Sequence, residues 1–225
     1  MKAIVYQVDT YYNSPHVTGR HSHHYYNMCE YLLPQTQQWC KDMGHAFELI
    51  RPDVVTCTRN EVWPETMRHT INTIPRFAES EYDYMLFLDF DIYVPERYEF
   101  PFREGVIQAP SYPRNERYDF LKAKVKEMTG LETTSDSYLF CAVAMSKDVA
   151  RRLNVPMLTN PMPSYNGTVY SNDELTLLYH ADSKGVPFED IKGIVKHSGW
   201  GRGNHITHFG GDGKDVIRSW FSGGI

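Results

Sequence analysis

Five consecutive apolar residues, Tyr84-Met85-Leu86-Phe87-Leu88, run without a break into Asp89-Phe90-Asp91. A strand with no polar alternation has to be covered on both faces, as in the interior of a helix-flanked sheet. The segments before it agree with that reading. Lys2 to Val8 is a β-branched apolar run that stops at a polar loop, Asp9 to Arg20, with Asn13-Ser14-Pro15 and Gly19 as turn signals. Tyr25 to Met43 has helical spacing interrupted at Pro34 and stopped by Gly44. Ala46 to Ile50 reads as a second strand, and Pro64 to Glu79 as a second helical stretch broken or bent at Pro75. Strand, helix, strand, helix, strand predicts an α/β fold with a doubly wound sheet, whose ligands lie beyond the carboxyl ends of the strands. Asp89 and Asp91 stand at such an end.

Further along, Gly105 to Ala109 reads as a strand and Phe120 to Met128 as a basic helix ending at Gly130. Tyr138 to Met145 reads as an apolar strand that runs into a helix, Lys147 to Leu153. Asn154 to Thr168 has the composition of a surface loop. Ser171 to Lys184 is predicted to be a helix closed by Gly185, with Ser171 as N-cap and Glu174 completing a capping box. The tail from Lys196 is dense in Gly and His. Without an internal repeat or a low-complexity linker, the 225 residues predict a single domain.

Charge narrows the partners. Twenty-three Lys+Arg against 28 Asp+Glu leave a net charge of −5, which argues against a basic nucleic-acid or anionic-membrane binder. Lys122, Lys124 and Lys126, with Arg114 and Arg117 nearby, form the segment best suited to track a phosphate backbone, and alternating lysines on a helix read more simply as a solvated face. The aromatic share is high, with 16 Tyr, which fits either stacking walls in a polar cleft or a Tyr-rich core rim. Cys29, Cys40, Cys57 and Cys141 are too widely spaced for a metal or redox motif and read as reduced structural thiols. The first apolar run is too short for a signal peptide, and no window reaches the roughly 18 apolar residues of a membrane span. A cytoplasmic protein is expected. His16, His21, His23 and His24 invite a zinc reading, but Pro15 and Gly19 interrupt the stretch and no carboxylate or Cys joins at ligand spacing. A loop that closes over a ligand is the preferred reading.

Two aspartates one residue apart can converge on one cation only if the backbone bends between them. Oxygen ligands suit Mn²⁺ or Mg²⁺, and such an ion would neutralise a diphosphate. Alone the pair is a weak signal, because aspartates at strand ends are also turn formers. Haloacid-dehalogenase-like phosphatases use a strand-end Asp near the chain start, usually with Thr or Val where this chain has Tyr93. The central position favours instead the Asp-x-Asp of GT-A glycosyltransferases. The tail decides between them: His208-Phe209-Gly210-Gly211-Asp212-Gly213-Lys214 carries a metal-binding imidazole, glycines that clear space beside an anion, and a lysine for phosphate.

That segment resembles the His-Phe-x-Gly-x-x-Lys signature of glycosyltransferase family 8, the glycogenin-like enzymes. The resemblance implies a GT-A fold, a mixed sheet flanked by helices. Residues 1–94 would be the nucleotide-binding half ending in Asp-x-Asp, and 95–225 the acceptor half with a metal-binding tail. It implies that Asp89, Asp91 and His208 hold Mn²⁺ or Mg²⁺, that Gly211 lets the backbone approach the phosphates, and that Lys214 reaches the diphosphate. In the family an Asp-Gln pair heading a helix lies close to the reacting sugar, and Asp173-Glu174 stands there in this chain. Asp9 and Tyr11, after the first strand, would meet ribose and base, and Arg76, or Arg68 in its place, would pair with the diphosphate. The implied activity is transfer of a sugar from a nucleoside diphosphate sugar, a UDP-hexose first, to an acceptor hydroxyl with retention. The acceptor is open among a glycan, a protein hydroxyl, a metabolite and a hydroxymethylated DNA base. The chain departs from the family at Phe140-Cys141-Ala142-Val143, where the family has Phe-Asn-x-Gly, and at Asp215-Val216, where it has Pro-Trp. A divergent member, or a neighbouring GT-A family, is expected. Two alternatives remain: a nucleotidyltransferase on a related sheet, disfavoured because no Gly-rich Arg/Lys loop follows the first strand, and a non-catalytic nucleotide-sugar binding module.

Overall fold

The apolar runs Ala3–Val8 (β1) and Tyr84–Leu88 (β3) lie side by side and parallel, with Ala46–Ile50 (β2) parallel on the other flank of β1. The computed structural model describes all of the chain except residues 58, 112–118, 120–121, 124–125, 127–137, 161–171, 198–202 and 224–225. Beyond β3 the sheet continues with Ala142–Ser146 (β6), Ile107–Ala109 (β5) and Phe188–Asp190 (β7), in the order β2-β1-β3-β6-β5-β7. β6 runs antiparallel to both β3 and β5, so the sheet is mixed. Among the described residues a second sheet joins Ile92–Tyr93 (β4), Ile206–His208 (β9) and Val195–His197 (β8) in the order β4-β9-β8.

The alternation of β3 explains the layers. Met85 and Phe87 join Ile4, Tyr6, Val143 and Met145 on one face, under Thr73–Glu79 (α4), Lys147–Leu153 (α5) and Asn172–Lys184 (α6). Leu86 and Leu88 join Val5, Ala142 and Ala144 on the other, against Trp39 and Cys40 of Leu33–Met43 (α2) and Ile92 and Ile206 of the small sheet. Burying each such side chain contributes about 1.5–3 kcal/mol, which is why an uninterrupted apolar strand belongs at the centre. A third cluster, Met28, Leu32, Phe90, Phe209, Ile217 and Trp220, lies just past the strand end and fastens the C-terminal segment to the fold.

Prolines act differently here from their sequence reading. Pro34 sits in the first turn of α2, where its missing N–H costs no helical hydrogen bond. The helical path therefore continues from Arg20–Asn27 (α1) through a π-helical turn, Met28–Leu32, into α2. Pro75 likewise lies in the first turn of α4, and the break comes at Asn72, between Arg59–Ile71 (α3) and α4. Asn72 is occupied there: its Oδ1 accepts from Leu158 N–H at 2.8 Å and its Nδ2 donates to Leu158 O at 2.9 Å. All four cysteines are free thiols, and among the described residues no helix is long and apolar enough to cross a membrane. The basic segment Phe120 to Met128, with Arg114 and Arg117, lies largely outside the described residues, as does Ser171.

Candidate active site

β3 ends in a bend that accounts for the Asp-x-Asp geometry. Asp89 N–H donates to Cys141 O at 2.8 Å, which is the last tie to β6. Asp89 O then accepts from Ile92 N–H at 3.2 Å and from the Gln7 amide at 3.2 Å. This closes a turn that keeps both carboxylates on one side while Phe90 goes into the third apolar cluster. β4 follows immediately and pairs with β9, placing Ile92 opposite His208, and Phe209 N–H donates to Asp91 O at 2.9 Å. The tail is thus stitched to the strand end by backbone bonds. Ligand atoms of Asp89, Asp91 and His208 all lie within 4.8 Å of one another.

The charges in this cluster are strongly coupled. Burial and the neighbouring Asp91 carboxylate push the Asp89 carboxyl well above the usual range. Burial would raise Asp91 too, but the adjacent His208 and Lys214 hold it well below. His208 Nε2 stands 3.4 Å from Asp91 Oδ1, and the Lys214 ammonium pairs with Asp91 Oδ2. Burial disfavours a charged His208, yet Asp91 and the bonded Cys141 thiol raise its affinity for a proton. Asp91 Oδ1 is buried, and beyond the long His208 contact no hydrogen bond to it is found among the described residues. A buried carboxylate oxygen left in this state carries a desolvation cost that a cation would relieve. Two carboxylates and an imidazole are a donor set that fits Mn²⁺, and less well Mg²⁺.

Around the cluster a cleft opens at the carboxyl ends of β1 and β3. Val8, Thr10 and Tyr11 form one side, Thr66, Met67 and Thr70 of α3 another, and Asp173 and Glu174 of α6 a third. Burial pushes the Asp173 carboxyl up to about 6. Glu174 Oε1 accepts from Phe140 N–H at 3.1 Å, which ties α6 to the segment leading into β6; the capping box predicted for Glu174 involves Ser171, which lies outside the described residues. Asp9 is fully buried and is not among the residues lining the cleft. Its carboxylate receives Tyr11 N–H and Tyr25 O–H, each at 3.2 Å, with Arg51 Nε at 3.5 Å. Arg76 donates to Glu48 at 2.6 Å on β2, and Arg68 is held by Glu65 and Leu158 O, so neither lines the cleft.

Of the tail glycines, Gly211 has φ +57 with open space where a Cβ would stand, whereas a Cβ on Gly210 would lie 2.9 Å from His208 Cε1. The close approach is therefore at Gly210, beside the imidazole. The histidines near the N-terminus make separate contacts. His16 Nε2 meets Cys57 O at 2.8 Å, and His24 Nε2 lies 2.5 Å from Asp215 Oδ1 in the tail. Sequence reading missed Gln7, Cys141 and α3 as parts of the site. Gln7 had a usable signal, a single polar residue inside an apolar strand.

No protein-family model and no curated protein matches the sequence. Solved structures do match over the whole chain. A glycosyltransferase involved in the glycosylation of the major capsid of PBCV-1 superposes with a TM-score of 0.53 at 11% identity, over 97% of this chain and 98% of that one. The galactosyltransferase LgtC, in complex with donor and acceptor sugar analogues, superposes with a TM-score of 0.52 at 12% identity, over 99% and 96%. The fold is that of the GT-A glycosyltransferases, at a large sequence distance.

Proposed function

We propose that this chain is a metal-dependent glycosyltransferase that moves a sugar from a nucleoside diphosphate sugar, a UDP-hexose first, to an acceptor hydroxyl with retention. The observation that carries the reading is the convergence of Asp89, Asp91, His208 and Lys214 at the carboxyl end of β3 in a glycosyltransferase fold. Asp89, Asp91 and His208 would hold Mn²⁺ or Mg²⁺, which when bound supplies Lewis-acid stabilisation of the leaving diphosphate. Lys214 adds a second fixed positive charge to the same oxygens, and preorganised charge of this kind is commonly the largest catalytic contribution. Asp173, ionised above about pH 6, faces the cleft where positive charge develops on the reacting sugar. Glu174 fixes the α6 end that carries Asp173. Tyr11 offers its ring to the base, and Asp9, through Tyr11 N–H, shapes the loop that presents it.

In this reading residues 1–94 provide most of the nucleotide contacts, and 95–225 the acceptor wall and the metal-binding tail. The acceptor is a glycan, a protein hydroxyl, a metabolite or a hydroxymethylated DNA base, and a cytoplasmic setting accords with the four free thiols. Incubation with Mn²⁺ and a panel of nucleotide sugars tests the proposal. Metal-dependent release of free sugar from one donor supports a transferase. Pyrophosphate release from a nucleoside triphosphate would make it a nucleotidyltransferase, and binding without turnover a non-catalytic module.

A further inference from the structure

Lys214 is carried on a short 3₁₀ segment, Gly211–Val216, whose two acids, Asp212 and Asp215, pair with the N-terminal part of the chain. Asp215 receives three contacts from α1: Arg20 Nε at 3.1 Å, Arg20 Nη2 on its other oxygen, and His24 Nε2 at 2.5 Å. Arg20 Nη2 also reaches Asp212 Oδ1 at 3.0 Å, so one guanidinium spans both acids that flank Lys214. His24 is buried, while Arg20 and Asp212 are largely exposed. An isolated surface ion pair contributes little to stability, about 0–1 kcal/mol. A forked Arg–carboxylate contact nevertheless fixes direction as well as distance.

We propose that the Arg20–Asp215–His24 latch positions Lys214 for the diphosphate, making Arg20, His24 and Asp215 positioning residues for donor binding. The inference rests on the transferase reading and deepens it. Lys214 Nζ meets Phe209 O, at 3.4 Å, and the Asp91 carboxylate, so these bonds hold the ammonium while the latch holds the backbone from which it extends. The latch also joins the donor-side wall to the tail, because α1 leads directly into the π-helical turn whose Met28 lines the cleft. At Asp215 the chain parts from the Pro-Trp that follows the signature lysine in the family it resembles. A carboxylate that reaches another segment stands there in its place.

The test measures dissociation constants for Mn²⁺ alone and, with Mn²⁺ saturating, for whichever of UDP, GDP, ADP and CDP the unaltered protein binds most tightly. Asp215→Asn and Arg20→Gln should each weaken nucleoside diphosphate binding about 5- to 10-fold, leave Mn²⁺ binding within twofold, and leave the far-UV spectrum and thermal midpoint nearly unchanged. The exchanged pair Arg20→Asp with Asp215→Arg should recover affinity to within about twofold. Because the latch acts through Lys214, adding Asp215→Asn to Lys214→Ala should weaken binding no further, whereas independent effects would add. Unaltered diphosphate affinity in Asp215→Asn, or additive losses in the double variant, would overturn the latch while leaving the transferase reading intact. An unaltered protein that binds no nucleoside diphosphate with Mn²⁺ would overturn the transferase reading itself, and the latch with it.

Discussion

Divalent-metal affinity should rise with pH, and the structure sets how steeply. Before a cation binds, burial and Asp91 keep Asp89 prone to hold a proton, and Asp91 and Cys141 do the same for His208 despite its burial. Asp91 stays ionised, so it contributes no proton to the exchange. A cation takes the deprotonated carboxylate and the neutral imidazole, so each of Asp89 and His208 that was protonated must release its proton. Each released proton changes affinity by roughly tenfold per pH unit. Between pH 8 and pH 6 the Mn²⁺ dissociation constant should therefore rise about 100-fold if one group is involved, and toward 10⁴-fold if both are. Lys214 must also move off Asp91, but its charge persists across this range, so that cost does not alter the slope. The free Mn²⁺ signal in electron paramagnetic resonance reads the affinity directly. Calorimetry in two buffers of different ionisation enthalpy counts the protons independently. An affinity constant to within twofold from pH 6 to 8 would refute the coupling inferred for this cluster.

Gly210→Ala should weaken Mn²⁺ binding about tenfold with little loss of stability, because the new Cβ would sit 2.9 Å from His208 Cε1 and 3.1 Å from Nε2 and turn the ring; an unchanged Mn²⁺ titration would show that the imidazole can swing aside. Asp173→Asn should lower donor-hydrolysis kcat by roughly 10²-fold and remove an acidic limb near pH 6, with Mn²⁺ affinity within twofold. A pH profile retaining that limb in the variant would assign it to another group. Trp220, 2% exposed and packed edge-on to Phe209, is expected to cost about 3–5 kcal/mol when cut to Ala, read by urea unfolding. Because the same cluster holds the tail, Trp220→Ala should also weaken Mn²⁺ binding, and normal binding with full destabilisation would separate the two roles. As Asp173 has its carboxyl raised in the fold, its contribution to stability should decline as pH rises from about 4 to 6, opposite in sign to a salt-bridged acid.

What could be read beforehand followed physical pattern strength. β2 and β3 have the boundaries that their sequences predict; in β3 burial on both faces leaves no room for polar alternation, whereas β2, at the sheet edge, carries Glu48 in its middle. The convergence of Asp89 with Asp91 needed a bend that the local sequence does not encode. It comes from Gln7 and Cys141, more than 50 residues away on either side. The small sheet escaped notice because strands of two and three residues, such as Ile92–Tyr93 and Ile206–His208, carry no periodicity. A capping pattern looks only three residues back, so it could not reveal that Glu174 Oε1 also bonds to Phe140, 34 residues away. Asp9, just after β1, and Arg76, in the helix ahead of β3, had suitable chemistry, and tertiary partners, Tyr25 with Arg51 and Glu48 respectively, claimed them. The His-rich stretch reads in sequence as a loop closing over a ligand, whereas His21, His23 and His24 lie within α1 and the buried His24 ties that helix to Asp215 of the tail.

The central claim is that Asp89, Asp91 and His208 hold one divalent cation against a nucleoside diphosphate reached by Lys214. A crystal grown with Mn²⁺ and UDP, with diffraction recorded on both sides of the manganese absorption edge, tests it most directly. The account predicts one strong anomalous peak bonded to all three side chains and to a diphosphate oxygen, with the Lys214 ammonium moved from Asp91 onto the diphosphate. A peak elsewhere, or a diphosphate bound with no metal between it and Asp91, would contradict it.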